Sequence, residues 1–107
     1  MPTKNFAYEQ LLPQTLREQV DKYVDQHKIS LNSALVQALD EYLALPADKQ
    51  LPPEAPKDVK SSIFIRMPME TKQKALLCAA SWQIQLQTRV SMNSVVTAAL
   101  KQYINKH

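Results

Sequence analysis

Two short runs, Ser30-Leu31-Asn32-Ser33 and Ser91-Met92-Asn93-Ser94, place hydroxyl and amide side chains where an apolar helical pattern begins. Ser30 or Ser91 in that position can cap a helix by accepting a backbone N–H from its first turn. The same position carries unpaired backbone N–H groups and the positive end of the helix dipole, which attract an anion such as a phosphate. Asn32, Ser33, Asn93 and Ser94 can add side-chain donors. Capping and anion capture are both open on the sequence alone. The second run lies beside Arg89 in a basic stretch, which favours anion capture there over the first run.

Other chemistry is harder to assemble. No Ser/His/Asp arrangement is evident, so no catalytic residue and no enzyme activity is expected. His27 and His107 have no Cys or His at metal-ligand spacing, so no metal site is expected. The lone Cys78 falls on an apolar stripe and reads as a buried, inert thiol. The chain contains no glycine. That excludes the phosphate-binding P-loop, the dinucleotide fingerprint and the nucleophile elbow, and no cofactor is expected. It also leaves helix ends without their commonest terminating residue.

The two polar runs belong to a repeat. Ile29–Leu43 and Val90–Ile104 align without a gap at an offset of 61, with identities including Ser30/Ser91, Asn32/Asn93, Ser33/Ser94 and Tyr42/Tyr103. In each copy apolar residues recur at i, i+3, i+4, i+7, i+8 and i+11, one stripe on a period of about 3.6 residues. Pro46 closes the first of these helices. A second helical pattern lies upstream of each: Leu16, Val20, Tyr23 and Val24, extended at its end by His27, after Pro13, and Ala75, Leu76, Cys78, Ala79 and Trp82 after Pro68. Pro13 to Ser30 is 17 residues, whereas Pro68 to Ser91 is 23. The six extra residues fall in Ser81–Arg89, as further helix or a larger loop. Trp82, Ile84 and Leu86 in that stretch are expected to fill the core, the alternative being a patch for a protein partner.

A short alternating stretch precedes each proline. In Ser61–Pro68, Ile63, Ile65 and Met67 alternate with Ser62, Phe64 and Arg66, as in a half-buried strand. In Phe6–Pro13, counting back from the proline turns Leu12, Gln10 and Tyr8 inward and Leu11, Glu9 and Ala7 outward. A one-residue shift would instead turn Tyr8 and Gln10 outward. Each half is then strand, helix, helix, and the proline-rich Leu45–Asp58 reads as a semi-extended linker. The expected organisation is a first copy over 4–45, a linker over 46–58 and a second copy over 59–107. Halves this small would share one core.

Apolar residues make up 45% of the 107, enough for a core. No apolar run reaches the roughly 18 residues of a membrane span, and no signal peptide is visible. With a single cysteine no internal disulfide can form, and a cytoplasmic location fits. The net charge of +3 is uneven: residues 1–55 hold five basic and eight acidic residues, residues 56–107 eight basic and two acidic. A basic half is the electrostatic footprint of a nucleic-acid surface, or simply a solvated face.

A strand followed by two helices, with Ser-x-Asn-Ser opening the second helix, resembles the ribbon-helix-helix family of the Arc/MetJ type. Ser61–Pro68 with Val90–Leu100, and Phe6–Pro13 with Ile29–Leu39, carry the resemblance. The tandem layout is similar to that of TraY-type conjugation proteins. The resemblance implies a mainly α fold with a two-stranded antiparallel β-ribbon, the two copies forming a pseudo-dimer within one chain. It also implies that the ribbon enters the DNA major groove. Outward Ser62, Phe64 and Arg66 would then contact bases, with Tyr8 and Gln10 joining them in the shifted register. Arg66 suits guanine, whose O6 and N7 its planar fork can hold together. The phosphate contacts would be Ser30, Asn32, Ser33, Ser91, Asn93 and Ser94, with Lys60 and Arg89. Lys57, Lys72 and Lys74 would add unspecific charge.

The expected partner is double-stranded DNA, with no membrane and no small-molecule substrate. The monomer is itself the pseudo-dimer, and copies can assemble side by side on DNA. The role would be transcriptional regulation, or an accessory function at a plasmid transfer origin or partition site. The alternative is a protein-interaction module or antitoxin on the same fold.

Overall fold

A computed structural model describes residues 5–55 and 59–106, apart from the side chains of Asn5, Tyr8, Lys60 and Ser61. In chain order the elements are β1 (Asn5–Pro13), α1 (Gln14–His27), α2 (Leu31–Ala44), a 3-10 turn (Ala47–Lys49), β2 (Val59–Pro68), α3 (Met69–Leu86) and α4 (Met92–Lys106). The protein is mainly helical with a small antiparallel sheet. No helix among the described residues is long and apolar enough to cross a membrane.

Pro13 and Pro68 each end a strand and open a helix, with φ fixed at −58°. Proline has no N–H to lose at a helix start, so this junction sacrifices no backbone bond. β1 and β2 pair antiparallel, with Ala7 opposite Arg66, Glu9 opposite Phe64 and Leu11 opposite Ser62. Side chains alternate across a strand, so those six share one face. The other face buries Gln10, Leu12, Ile65 and Met67 against the helices. The register counted back from the proline is therefore the one adopted. The shifted register is corrected: Gln10 is completely buried. Tyr8 has the same parity, and its side chain lies outside the described residues.

The core is one cluster drawn from both halves. Leu12, Leu16, Val20, Leu35, Leu39 and Tyr42 join Ile65, Met67, Trp82, Val95, Val96 and Leu100. The periodic stripes of α2 and α4 are its main contributors, and these two helices pack against each other. Four of the six extra residues of the second half lengthen α3, which has 18 residues against 14 in α1. The other two lengthen the turn before Ser91. Trp82 enters the core and donates to Gln50 Oε1 at 2.9 Å. Ile84 and Leu86 do not follow it: they lie 78% and 38% exposed, correcting the expectation that all three fill the core.

The proline-rich segment is pinned rather than free. Gln50 donates to the carbonyls of Tyr42 and Leu45 while its own carbonyl accepts from Trp82. Gln102 of α4 accepts from Leu51 N and donates to Lys49 O. Tyr42 donates to Leu51 O at 2.7 Å, and Pro53 is buried. Residues 56–58 of the linker lie outside the described residues. Cys78 is only half-buried, and burial raises its pKa.

Without glycine, α1 and α3 end on Lys28 and Gln87 in the left-handed region, at φ 56° and 54°. A side chain with a Cβ is strained there by about 1–2 kcal/mol, part of which glycine gives back in unfolded-state entropy. Lys28→Gly and Gln87→Gly are each expected to stabilise the protein by about 0.5–1 kcal/mol in urea unfolding. A second expectation concerns alkaline pH. The hydrogen bond from Tyr23 at 2.9 Å, then burial, then the neighbouring Tyr23 and Glu41 push the Tyr103 pKa up to about 12. Burial chiefly raises that of Tyr42 as well. The unfolded chain releases tyrosine protons near pH ~10, so this contribution is intact below that pH and is lost as pH rises toward the folded value. The urea midpoint should fall from pH ~10 upward, and less steeply in Tyr103→Phe.

Candidate nucleic-acid interface

The exposed face of the sheet carries Ala7, Glu9 and Leu11 from β1 and Ser62, Phe64 and Arg66 from β2. Phe64 is 77% exposed, and its ring stands in the open opposite Glu9. Ser62 donates to Glu9 Oε2 at 3.3 Å, tying the two strands together on this face. The Arg66 side chain is exposed and forms no ion pair among the described residues. Ser62, Phe64 and Arg66 are thus brought together on one surface, with a carboxylate at its centre.

α2 and α4 are fastened to opposite edges of this sheet by the two repeated asparagines. Asn32 Oδ1 accepts from Arg66 N at 2.7 Å, and its Nδ2 donates to Arg66 O at 2.9 Å. Asn93 Oδ1 accepts from Leu11 N at 2.7 Å, and its Nδ2 donates to Glu9 O at 3.4 Å. Counted from their prolines, Leu11 and Arg66 occupy the same place in the two strands. Each helix therefore hooks the strand of the other half. The amides replace the neighbouring strand that an edge lacks, satisfying backbone groups otherwise left to water.

This changes the roles expected of the polar runs. Asn32 and Asn93 commit the oxygen and one N–H of each amide to the strand edges. Ser94 is 4% exposed and cannot serve as an open phosphate donor. Ser30 and Ser91 are caps: Ser30 Oγ accepts from Ser33 N at 3.0 Å, and Ser91 Oγ accepts from Ser94 N at 3.2 Å. Ser30, Ser33 and Ser91 are exposed at the helix starts, and Arg89 is exposed in the turn before α4. The first backbone amides of α2 and α4 have no intrahelical acceptor and carry the dipole's positive end. Around α2, Asn32, Ser33 and Arg66 line one open cleft of about 470 Å³.

The remaining lysines are partly committed. Lys72 Nζ sits 4.2 Å from the centre of the Phe6 ring, a cation–π contact. Lys74 pairs with Glu70 at 3.3 Å. The side chain of Lys60, and Lys57 altogether, lie outside the described residues. Two residues that matter here have partners that no local sequence pattern gives. Gln10 Nε2 donates to Thr97 Oγ1 at 3.2 Å and to Asn93 O at 3.0 Å, which ties the inner face of β1 to α4. Thr97 lies outside the apolar stripe yet is 2% exposed. No group of three or more potential metal-binding side chains occurs among the described residues.

No family model, curated protein or solved structure matches the chain.

The asparagine hooks should be worth more than ordinary surface hydrogen bonds, since each closes two backbone groups of an edge strand. Asn32→Ala and Asn93→Ala are each expected to cost about 1–3 kcal/mol in urea unfolding. Hydrogen exchange should quicken at the Arg66 amide in the first variant and at the Leu11 amide in the second. Ser33→Ala, which removes a hydroxyl but no hook, should change stability by less than about 1 kcal/mol.

Proposed function

We propose that the chain is a double-stranded DNA-binding protein of ribbon-helix-helix architecture, a pseudo-dimer made of two tandem copies. β1 and β2 form the ribbon that enters the major groove. The observation that carries this reading is the reciprocal pair of hooks, Asn32 to β2 and Asn93 to β1, which sets a helix start on each side of an exposed pair of strands. A duplex with strands in its groove would present its flanking phosphates to those helix starts.

In this reading Arg66 reads a base, Ser62 donates or accepts beside it, and Phe64 contacts a thymine methyl. The first backbone amides of α2 and α4, with Ser30, Ser33, Ser91 and Arg89, hold phosphates. The two strands present different side chains at matched positions, so the site is non-palindromic. A transcriptional regulator or an accessory factor at a plasmid transfer or partition site would use such a protein. Glu9 and the open Phe64 ring at the centre of the face favour a second reading, an interaction module that binds protein instead.

Selection from a random double-stranded DNA pool separates the two. The wild-type chain should enrich an asymmetric motif. Arg66→Ala should relax one position of it at a cost of about 1–3 kcal/mol, while Ser33→Ala leaves the motif unchanged. Affinity should fall with salt in proportion to the phosphates held. Absence of binding at low salt would overturn the DNA reading and leave the protein-binding one.

A further inference from the structure

Glu9 has the wrong sign for a surface that meets DNA, and no cation offsets it. It is exposed and forms no ion pair among the described residues. Counted from their prolines, Glu9 and Phe64 hold the same position in the two strands, and they lie opposite each other. Arg66 and Ser62 are the diagonal neighbours of Glu9 across the strands. The carboxylate takes the hydroxyl and not the guanidinium: Ser62 donates to Oε2 at 3.3 Å. Arg66 thus stays open to a guanine, and Glu9 Oε1 remains an acceptor without a donor among the described residues.

A carboxylate set into the major groove is repelled by the phosphates unless a base offers it a donor. Only two base donors face that groove, the N4 amine of cytosine and the N6 amine of adenine. Guanine and thymine present acceptors alone. The adenine amine has an acceptor on either side, its own N7 and the O4 of the paired thymine. The cytosine amine has one, the O6 of the paired guanine. A group that can only accept therefore meets less repulsion over cytosine. We propose, on the DNA reading above, that Glu9 is a specificity-determining residue and accepts from N4 of a cytosine. Its effect is exclusion more than affinity, since every other base sets further acceptors against the anion. Glu9 stands one residue pair from Arg66 along the ribbon, roughly 7 Å. With base pairs roughly 3.4 Å apart, the cytosine lies within about three base pairs of the guanine held by Arg66. In a pseudo-dimer the twofold axis passes between Glu9 and Phe64. One acid facing one aromatic ring at that axis gives the two orientations of the protein on its site different energies.

The test uses the full chain and duplexes carrying the motif it selects, with affinity read by fluorescence anisotropy. Replacing the cytosine pair by a thymine pair should weaken wild-type binding about 10-fold. In Glu9→Ala the same replacement should cost less than about 2-fold. N4-methylcytosine still pairs with guanine, but its methyl group takes the place of the groove-facing hydrogen. It should also weaken the wild type about 10-fold and leave Glu9→Ala unaffected. Glu9→Gln, which can both donate and accept, should select adenine at that position, while Arg66→Ala relaxes a different one. Equal costs of the thymine or methylated duplex in wild type and Glu9→Ala would overturn the proposal and leave the DNA reading standing. So would a selected motif with no cytosine within about three base pairs of the position that Arg66→Ala relaxes. A chain that binds no duplex at low salt would overturn both.

Discussion

A strand with a single neighbour leaves half of its backbone polar groups pointing away from the sheet, and those groups must find partners. In this protein Asn32 and Asn93 supply them, one for each strand. Because each asparagine is the second residue of a helix, the same bonds fix where α2 and α4 begin. Because each hook reaches the strand of the other half, neither half holds its own strand edge. The position of both helix starts beside the exposed face follows from this one exchange. It is fixed before any side chain on that face is considered.

Much of this order was legible in the sequence. The duplicated phrase marks α2 and α4, the serines mark their caps, and counting back from Pro68 marks the inward and outward faces of β2. For β1 two registers stay open in the sequence, because Gln10 is polar at an inward place. Its partners, Thr97 and the Asn93 carbonyl, are more than 80 residues away in the chain, so no local pattern announces them. The asparagines stand at the expected positions, and their bonds to the strand edges are a task that the sequence does not announce. A donor-acceptor amide at a helix start fits a phosphate or a strand edge equally well by type. Only the fold decides which is within reach. Gln50 was invisible for a related reason. A lone polar residue in a proline-rich stretch reads as solvent-facing until the indole of Trp82 is seen to donate to it.

Charge counting was informative about composition and less so about surface. The second half carries an excess of basic residues, but Lys72 lies over Phe6, Lys74 pairs with Glu70 and Lys106 pairs with Glu41 at 2.9 Å. On the exposed face of the sheet the described charges are one arginine and one glutamate. If the face binds DNA as proposed, the dipole-bearing helix starts and the exposed Arg89 add positive charge at its flanks.

The buried Gln10 has a consequence for which strands can pair. Its counterpart in β2, counted from the proline, is Ile65, and the counterpart of Thr97 in α2 is Val36. Between the halves, a polar residue of β1 thus meets a polar residue of α4, whereas the corresponding positions of β2 and α2 are both apolar. Suppose that β1 paired instead with β1 of a second chain. Each Gln10 would then face Val36 and lose the hydroxyl acceptor it now uses. The bond from Gln10 to Thr97 would be lost twice in a symmetric exchange, while Leu11 O stays an acceptor for the Gln10 amide. The reverse pairing, β2 with β2, would set Ile65 against Thr97, whose hydroxyl keeps the Asn93 carbonyl as its acceptor. Pairing β1 with β2 is therefore the arrangement that makes the bond between Gln10 and Thr97. A chain carrying two similar strands needs such a distinction, since backbone hydrogen bonding alone would accept any of the three.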